Sequence, residues 1–363
     1  MIHIVLGTKA QLIKMAPIMA ALQGKQLDYN FIFTGQHQET IAQLRKNFGL
    51  KEPDVVLYQG KDITGLLQMF FWMLRILFKT IFYRRQIYKK QGINDIVLIH
   101  GDTFSTLLGA LMGKVAGKNV GHIESGLRSF NLFHPFPEEI TRIVTFGLTD
   151  YYFCPGDWAL ENLKKYQGIK INTKHNTLLD SLKLAKKKME VCNVEVPNEP
   201  FALVSLHRFE NIFNRKIFRF IVNSLLEISH KIKLVFILHP PTLKKLKSYG
   251  FYKIIESAEN ISLRPRYDYF NFIKLLINCE FLITDGGSNQ EEAYYLGKPT
   301  LLFRTITERQ EGLGANVVIS NYERQKINDF VSNYGQYATS PVQLEKKPSE
   351  IIITNLTQFM ESS

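Results

Sequence analysis

Short apolar runs alternate with longer amphipathic segments along almost the whole chain. Nine of these runs have the length and composition of buried strands, and most precede a segment of helical length and period. They cover residues 2–6, 29–34, 96–100, 119–123, 151–154, 201–206, 233–238, 280–284 and 299–303. Continuous apolar strands such as 96–100 are typical of parallel sheets that helices cover on both faces. The pattern therefore predicts an α/β protein built from successive βα units.

A charged segment without clear periodicity interrupts the series at residues 186–200. Its two prolines, Pro197 and Pro200, favour a surface connection. A chain of 363 residues also exceeds what one core usually supports, and 45% apolar residues can fill two. We therefore expect two doubly wound domains, residues 1–180 and 181–348, with a C-terminal helix at about 349–361 that packs back onto the first.

Composition narrows the functional classes. The cysteines Cys154, Cys192 and Cys279 are scattered singly, which indicates neither a disulfide framework nor a zinc site and fits a reducing cytoplasm. Residues 2–6 are typical of a first strand rather than of a cleavable signal. The net charge of +12 is compatible with a phosphate-bearing ligand, nucleic acid or an anionic membrane. Because no nucleic-acid-binding motif accompanies that charge, we do not expect nucleic acid as a partner.

Three acidic residues stand where strands end or a helix begins. Asp102 and Glu124 follow predicted strands, and Glu138 opens a helical segment. Since the carboxyl ends of parallel strands meet at one edge of a sheet, the three can converge on one cleft. This arrangement suggests proton chemistry on a polyanionic ligand.

Each acid also has a structural interpretation. Asp102 and Glu138 could cap the helices that follow them. Glu124 ends an apolar strand, where burial is costly without a partner, and Arg128 or Arg142 could supply that partner.

Residues of the second predicted domain add positive charge at a strand end. His207 follows the strand 201–206 directly, where ligands of open α/β sheets bind, and Arg208 stands beside it. We therefore expect His207 to be functional, although a satisfied histidine at a strand end is the alternative. His122 lies inside its strand and is expected to belong to the core.

Two glycine-containing turns suit phosphate binding. Gly7-Thr8 leads into a helix that carries Lys9 and Lys14, and Gly286-Gly287-Ser288 opens another helix with free N–H groups. Glycine permits close approach of the backbone to a ligand. The alternative is an ordinary turn with a capping serine.

Eight motifs occur in a fixed order along residues 1–320. They are GTKAQLIKMAP (7–17), TGQH (34–37), HGDT (100–103), GHIESGLR (121–128), PEE (137–139), LHR (206–208), DGGSNQEE (285–292) and TER (307–309). Together they resemble the non-hydrolysing UDP-N-acetylglucosamine 2-epimerase family. The resemblance implies a GT-B fold, in which two Rossmann-like domains with parallel sheets enclose an interdomain cleft. It also implies a homodimer that needs neither a metal nor a redox cofactor, and the scattered cysteines remain the ground for a cytoplasmic location.

The implied reaction is inversion of carbon 2 of a UDP-N-acetylhexosamine, of the UDP-N-acetylglucosamine to UDP-N-acetylmannosamine type, for a cell-surface polysaccharide. That carbon has no adjacent carbonyl, so the family eliminates UDP to a 2-acetamidoglycal and then adds it back. Asp102, Glu124 and Glu138 match the family's catalytic acids, and His207 matches its essential histidine.

The resemblance also implies two sets of ligand-binding residues. The substrate-binding set is Lys9, Lys14, Arg142, Arg208, Gly286, Gly287, Ser288, Glu292 and Arg309. A second, activating UDP-sugar site corresponds to Gln36, His37 and His239, together with Arg208.

Departures from the family pattern leave the substrate open. Lys9-Ala10-Gln11 stands where Arg-Pro-Glu is common, and Gly286-Gly287-Ser288 stands where Ser-Gly-Gly is common. Residues 206–211 also resemble relatives that act on UDP-diacetamido-uronic acids. A hydrolysing epimerase, a non-catalytic UDP-sugar sensor and a GT-B glycosyltransferase are less favoured, the last because its acceptor site would not require three acids.

Residues 63–83 are apolar almost all round, and a basic tail follows them up to residue 90. The segment is long enough to span a bilayer, but Arg75 and Lys79 near its middle are costly there. We therefore expect a helix buried at the core or at a homodimer interface. A peripheral contact of residues 63–90 with an anionic membrane surface is the alternative.

Overall fold

A computed structural model describes residues 1–37, 41–63, 65–89, 92, 94–132, 136–189 and 192–361. The chain divides into two compact units, Met1–Leu184 with Glu345–Ser363, and Ala185–Leu344. Each unit contains one parallel sheet flanked by helices, which confirms the predicted fold class. Parts of the sequence motifs and segments, namely Thr64, Lys90, Pro135 and residues 190–191, lie outside the described residues.

The first unit is built on a seven-stranded sheet of order β3-β2-β1-β4-β5-β6-β7. Its strands are β1 (Ile2–Leu6), β2 (Tyr29–Phe33), β3 (Val55–Val56), β4 (Ile96–His100), β5 (Asn119–Ile123), β6 (Tyr151–Cys154) and β7 (Ile169–Asn172). Its first helices are α1 (Lys9–Gly24), α2 (Ile41–Phe48), α3 (Leu66–Ile87), α4 (Phe104–Val115), α5 (Glu138–Gly147), α6 (Asp157–Asn162) and α7 (Leu178–Lys187). All pairings are parallel, so β1, β4 and β5 end at the same edge of the sheet.

The second unit repeats the design with a six-stranded sheet of order β10-β9-β8-β11-β12-β13. Its strands are β8 (Phe201–Ser205), β9 (Lys233–Leu238), β10 (Ile261–Pro265), β11 (Phe281–Thr284), β12 (Thr300–Leu302) and β13 (Val317–Ile319). Its helices are α8 (Phe209–Ile212), α9 (Arg215–Ser229), α10 (Pro240–Tyr249), α11 (Tyr252–Glu256), α12 (Tyr269–Asn278), α13 (Gly287–Leu296) and α14 (Arg324–Asn333), followed by a 3₁₀ turn at Tyr334–Tyr337. Buried apolar side chains from β8, β9 and β11 form its core.

The last helix, α15 (Pro348–Glu361), belongs to the first unit. The backbone N–H of Ser349 at its start donates to the buried carboxylate of Asp180 at 2.9 Å. Ile352, Ile353 and Leu356 bury its apolar side. The chain therefore returns to the first sheet after completing the second.

Helix α3 occupies most of the apolar segment noted in the sequence. Trp72 and Ile76 are buried in the core of the first unit, whereas Phe71, Phe78 and Phe82 are 64, 58 and 74% exposed. One side of the helix is therefore core, as expected, and the other side is an exposed apolar face. Among the described ranges, none of the helices combines the length and the apolar character that crossing a bilayer requires.

Candidate active site

Glu124 lies in the turn that follows β5, at the edge where strands of the first sheet end. Its φ of +62° is unusual for a residue with a side chain, and only 8% of the residue is exposed. The ammonium of Lys14 and the side-chain amide of Asn176 both donate to its Oε1, each at 2.5 Å. The Nε2 of His100 lies 3.6 Å from its Oε2. Lys14 therefore forms an ion pair with Glu124, and the alternative that Arg128 or Arg142 supplies this pair is wrong, since those arginines bind Glu139 and Asp102.

Asp102 lies in the neighbouring turn, between β4 and α4. Arg142 donates to its Oδ2 from Nε at 2.9 Å and from Nη2 at 2.6 Å. Helix α4 is capped by Thr103, whose hydroxyl accepts from the Thr106 N–H, so Asp102 is not the capping residue. Asp102 therefore forms an ion pair with the buried Arg142 and does not cap a helix, so the capping interpretation is wrong.

Glu139 holds that arginine in place. Its carboxylate is fully buried and accepts from Arg128 Nε at 2.5 Å, from the Ser129 N–H at 3.0 Å and from Arg142 Nη1 at 3.1 Å. Burial alone would raise the pKa of Glu139, but these donors outweigh it and hold the pKa below its ordinary value. A chain of alternating charges therefore runs from Arg128 through Glu139 and Arg142 to Asp102.

Glu138 is the first residue of α5 and is half-buried. The hydroxyl of Thr141, one turn later, lies 2.5 Å from the Asp102 carbonyl oxygen and 2.8 Å from the Glu138 carbonyl oxygen. Since Pro137 occupies the cap position, Glu138 stands inside the helix rather than capping it. The start of α5 is thereby tied to the turn that carries Asp102.

Two buried histidines support these turns in their neutral form. Burial lowers the pKa of His100 to about 3 and that of His122 to about 4. His122 Nε2 lies 2.7 Å from the Gly101 carbonyl oxygen, and its Nδ1 lies 3.0 Å from the Ser125 hydroxyl. His122 therefore links the turns after β4 and β5, in agreement with its predicted place in the core.

The turn between β1 and α1 is fixed by Gln11. Its Oε1 accepts from the N–H groups of Gly7 and Thr8, and its Nε2 donates to the His100 carbonyl and the Thr106 hydroxyl at 3.0 Å each. Lys9, at the helix start, is half-buried. Gln11 therefore holds this turn through four hydrogen bonds, and Lys14, one turn further along α1, donates to Glu124.

The residues of the expected activating site fall in both units. Gln36 is 5% exposed, and its Oε1 accepts from the Ser105 hydroxyl at 2.7 Å, so it supports the start of α4. The His37 N–H donates to the Gly7 carbonyl at 2.8 Å. His239 belongs to the second unit, at the start of α10.

In the second unit, His207 follows β8 at the carboxyl edge of the sheet. The carboxylate of Asp285, buried after β11, accepts from the N–H groups of His207 and Arg208 at 3.0 Å each and from Asn211 Nδ2 at 2.9 Å. The His207 ring stacks on His239 at 4.4 Å between centroids. Desolvation lowers the pKa of His207, although the Asp285 charge opposes it. The imidazole therefore stacks on His239 and has its Nδ1 3.6 Å from Asp285 Oδ1.

Gly286 and Gly287 bring the start of α13 close to this histidine. A Cβ at Gly286 would lie 3.2 Å from His207 Cε1 and 2.9 Å from Asn289 Oδ1, so a larger residue there would require these side chains to shift. Gly286 also occupies the cap position of α13, and Ser288 is exposed within its first turn. The alternative of a capping serine is therefore wrong.

Glu292 and Arg309 lie further along the same region. Glu292 is 4% exposed and accepts from Asn289 Nδ2 at 2.9 Å. Arg309 forms an ion pair at 3.2 Å with Glu291, whose side chain is fully buried. Arg309 thus holds the loop after β12 against α13.

Arg208 belongs to a second cluster of charges. Its Nη2 donates to Glu308 Oε1 at 3.1 Å, and Arg304 binds the other oxygen of Glu308 at 3.1 Å. Burial would raise the pKa of Glu308, but the two arginines lower it to about 2. Glu308 therefore stays ionised and fixes the Arg208 guanidinium beside His207.

Four of the residues that organise the site were not among the predicted site residues: His100, Glu139, Asn176 and Asp285. Glu139 stands three residues before Arg142 on a helix, a spacing that favours an ion pair. Asn176 precedes a helix at a capping position. Such local signals indicate helix starts and ion pairs, but not which distant side chain each group contacts.

Comparison with known proteins shows that the chain is similar to enzymes that share one name. The family model described as UDP-N-acetylglucosamine 2-epimerase matches residues 20–348. A UDP-N-acetylglucosamine 2-epimerase of Methanococcus maripaludis is 36% identical over 333 residues, which cover 87% of this chain and 86% of that protein. The enzyme of the same name from Methanocaldococcus jannaschii is 32% identical, with 90% of each chain covered.

Solved structures give the same result. The UDP-N-acetylglucosamine 2-epimerase of Neisseria meningitidis, bound to UDP-GlcNAc, matches with a TM-score of 0.81 at 27% identity and covers 98% of this chain and 99% of its own. The M. jannaschii enzyme in complex with UDP-GlcNAc and UDP matches with a TM-score of 0.80 at 29% identity, with the same coverage.

Proposed function

This chain belongs to the UDP-N-acetylglucosamine 2-epimerase family, and on that premise we propose that it inverts carbon 2 of a UDP-N-acetylhexosamine without hydrolysing it. The substrate is a UDP-sugar, of the UDP-N-acetylglucosamine to UDP-N-acetylmannosamine type. The reaction would take place in the cytoplasm, and its product would be used to synthesise a cell-surface polysaccharide. The observation that supports the proposal most is the set of acids in the first unit, two of which are held by buried cations.

The reaction needs acids and bases on both faces of carbon 2. A carboxylate removes the proton from carbon 2, the bond from carbon 1 to UDP breaks with its electron pair leaving on UDP, and a double bond forms between carbons 1 and 2. A proton is then delivered to the opposite face of carbon 2, and the UDP oxygen re-forms its bond to carbon 1. Each proton transfer by a positioned side chain accelerates such a step by about 10²- to 10⁴-fold.

We assign the proton transfers to the first unit. Glu124, Asp102 and Glu138 supply the groups that remove and return the proton at carbon 2 and support positive charge at carbon 1. Lys14 and Arg142 fix two of these carboxylates at short distances, so the reacting groups need little rearrangement. Lys9 and Arg142 also face the negative charge that the substrate brings.

We assign UDP binding to the second unit. The N-terminus of α13, at Gly286, Gly287 and Ser288, suits the diphosphate because its N–H groups and helix dipole favour anions. His207 and Arg208 balance the charge that develops on departing UDP. By family resemblance Glu292 binds the ribose hydroxyls, and Arg309 keeps that helix in place.

We extend the proposal to activation by a second UDP-sugar, which Gln36, His37 and His239 would serve. The stacking of His239 on His207 supports this idea, because a ligand that moves one ring must affect the other. Gln36 would act through its support of α4, since its carbonyl oxygen is engaged by Ser105.

The function is tested by incubating the protein with UDP-N-acetylglucosamine in D2O and following the sugar H2 signal by NMR. We expect loss of H2 through deuterium exchange, together with a mixture of the two epimers and no net release of UDP. Release of free sugar and UDP would indicate a hydrolysing enzyme. If H2 persists, a parallel sample with a UDP-diacetamido-uronic acid tests the alternative substrate, and persistence in both contradicts epimerisation.

We further propose that the exposed apolar face of α3 joins two copies of the chain. Val115 on α4 and Val144 on α5 are 44% exposed each, and α3 packs beside α4, which packs beside α5. Phe71, Phe78 and Phe82 recur at spacings of seven and four residues, which places them on one side of α3, and exposed apolar patches of this kind mark interfaces. The alternative is that this face of α3 contacts an anionic membrane, because residues 63–90 contain six Lys and Arg and no Asp or Glu.

The triple variant Phe71→Ser, Phe78→Ser and Phe82→Ser should convert a dimer into a monomer at micromolar concentration, because it removes three exposed aromatic side chains from the face. Sedimentation velocity measures the change. Ile169→Ser with Ile254→Ser, exposed on β7 and α11, is the matched control and should leave the dimer intact.

Flotation with phosphatidylglycerol vesicles addresses the membrane alternative. A monomeric wild type that floats with these vesicles, while the triple variant does not, would replace the dimer proposal by membrane contact. A wild-type protein that is monomeric and does not float with the vesicles would contradict both the dimer and the membrane contact.

A further inference from the structure

Asn176 lies in the turn that leads into α7, in the first unit, and is 2% exposed. Its side-chain Oδ1 accepts a hydrogen bond at 3.1 Å from the N–H of Leu178, the first residue of α7. Its Nδ2 donates to Glu124 Oε1 at 2.5 Å. One buried amide thus connects the start of a helix with a carboxylate 52 positions away along the chain.

The helix start determines which way this amide faces. A backbone N–H requires an acceptor, so the Asn176 oxygen must point toward Leu178. The NH₂ group is consequently directed at Glu124, and a flipped amide would lose both hydrogen bonds. The orientation therefore follows from the fold.

The surroundings of Glu124 explain why this donor matters. Lys14 from α1 binds the same oxygen, His100 at the end of β4 lies 3.6 Å from the other, and Asp102 lies in the adjacent turn. Burial keeps His100 neutral, with a pKa of about 3. Two donors on Oε1 leave the carboxylate little rotational freedom and present Oε2 toward Gly101, where a Cβ would lie 3.4 Å away.

We propose that Asn176 is a positioning residue that locks the rotation of the Glu124 carboxylate and favours its ionised form through the hydrogen bond to Oε1. The inference rests on the proposed function of Glu124 as a proton-transfer group. The inference assigns Asn176 a role in the reaction although its side chain forms and breaks no bond. It also makes the start of α7 part of the structure that positions Glu124. Hydrogen bonds to the charged form of a carboxyl favour that form.

Asn176→Asp separates this role from helix capping. Aspartate has the same shape and retains an oxygen for the Leu178 N–H, but it loses the donor and places a second carboxylate beside Glu124. We expect H2 exchange to slow by about 10- to 100-fold, the usual effect of losing a hydrogen bond to a charged group. Two neighbouring carboxylates resist joint ionisation, so the acidic limb of the kcat/KM profile should move to higher pH.

Two further variants provide the controls. Asn176→Ala removes the donor and the cap without adding a charge, so exchange should slow by a similar factor and the acidic limb should move to higher pH by less than in Asn176→Asp. Asn214→Ala removes a comparable cap from α9, in the second unit, where Asn214 accepts from Lys216 and Ile217. It should leave the exchange rate and the pH profile as in the wild type.

A direct titration keeps the inference testable whatever the substrate. In protein labelled with ¹³C at the glutamate carboxyls, the Glu124 signal is assigned by its loss in Glu124→Gln, and its pKa should be higher in Asn176→Asp than in the wild type. An unchanged titration, or an Asn176→Asp enzyme with wild-type exchange and profile, would overturn the positioning role. A wild type without exchange on either substrate would instead contradict the proposed function, and the titration would still decide the role of Asn176.

Discussion

Glu124→Gln should slow H2 exchange of UDP-N-acetylglucosamine in D2O by about 10³-fold, within the range for loss of an acid–base group. The amide has the shape of the carboxylate but cannot accept and return a proton at neutral pH. UDP binding should persist, because the groups assigned to UDP lie in the second unit. NMR measures the exchange, and titration calorimetry measures UDP affinity.

The substitution also removes the charge that pairs with the buried Lys14 ammonium, at a cost of about 3–5 kcal/mol. Lost activity could then reflect lost folding. Lys14→Gln combined with Glu124→Gln removes both charges and should recover most of the stability without recovering exchange. Exchange at the wild-type rate in Glu124→Gln would refute the assignment.

Glu139→Gln should lower the free energy of unfolding of the first unit by about 3 kcal/mol at neutral pH, because it leaves Arg128 and Arg142 with one buried anion fewer. The folded-state pKa of Glu139 is depressed, so its contribution is complete above the ordinary pKa of 4.5 and disappears as the pH falls through the folded-state value. The difference between variant and wild type should therefore shrink below about pH 4.5.

Urea unfolding followed by tryptophan fluorescence suits this measurement, because Trp72 and Trp158 are the two tryptophans of the chain and both lie in the first unit. Glu350→Gln is the matched control. Its exposed pair with Lys347 should contribute less than about 1 kcal/mol. Equal midpoints for Glu139→Gln and the wild type would show that the buried network does not stabilise the unit.

Strand prediction from the sequence succeeded in the interior of both sheets and failed at their edges. The nine predicted strands are the nine interior strands of the described structure, whereas β3, β7, β10 and β13 were not predicted. Interior parallel strands are covered on both faces and form continuous apolar runs. Edge strands are short or partly polar, like the two residues of β3 and the Ile-Ser-Leu-Arg-Pro of β10, so hydrophobicity does not reveal them.

The candidate site was predicted as a set of residues rather than as a set of contacts. Asp102 and Glu124 stand at strand ends, as the topology required, but their cationic partners come from α5 and α1. Pairing across 110 residues, as between Lys14 and Glu124, leaves no local signal in the sequence. Trp72 illustrates the same limit, since on a helix apolar all round only the packing of neighbours decides which side is buried.

The close packing of Gly286 against the His207 ring restricts how this enzyme can exchange parts with its relatives. A serine in place of Gly286, as in relatives whose loop begins with serine, would press on the Asn289 side chain and crowd the imidazole, so these side chains must shift to admit it. A chimera that takes this loop from such a relative should therefore include position 289 as well as residues 286–288.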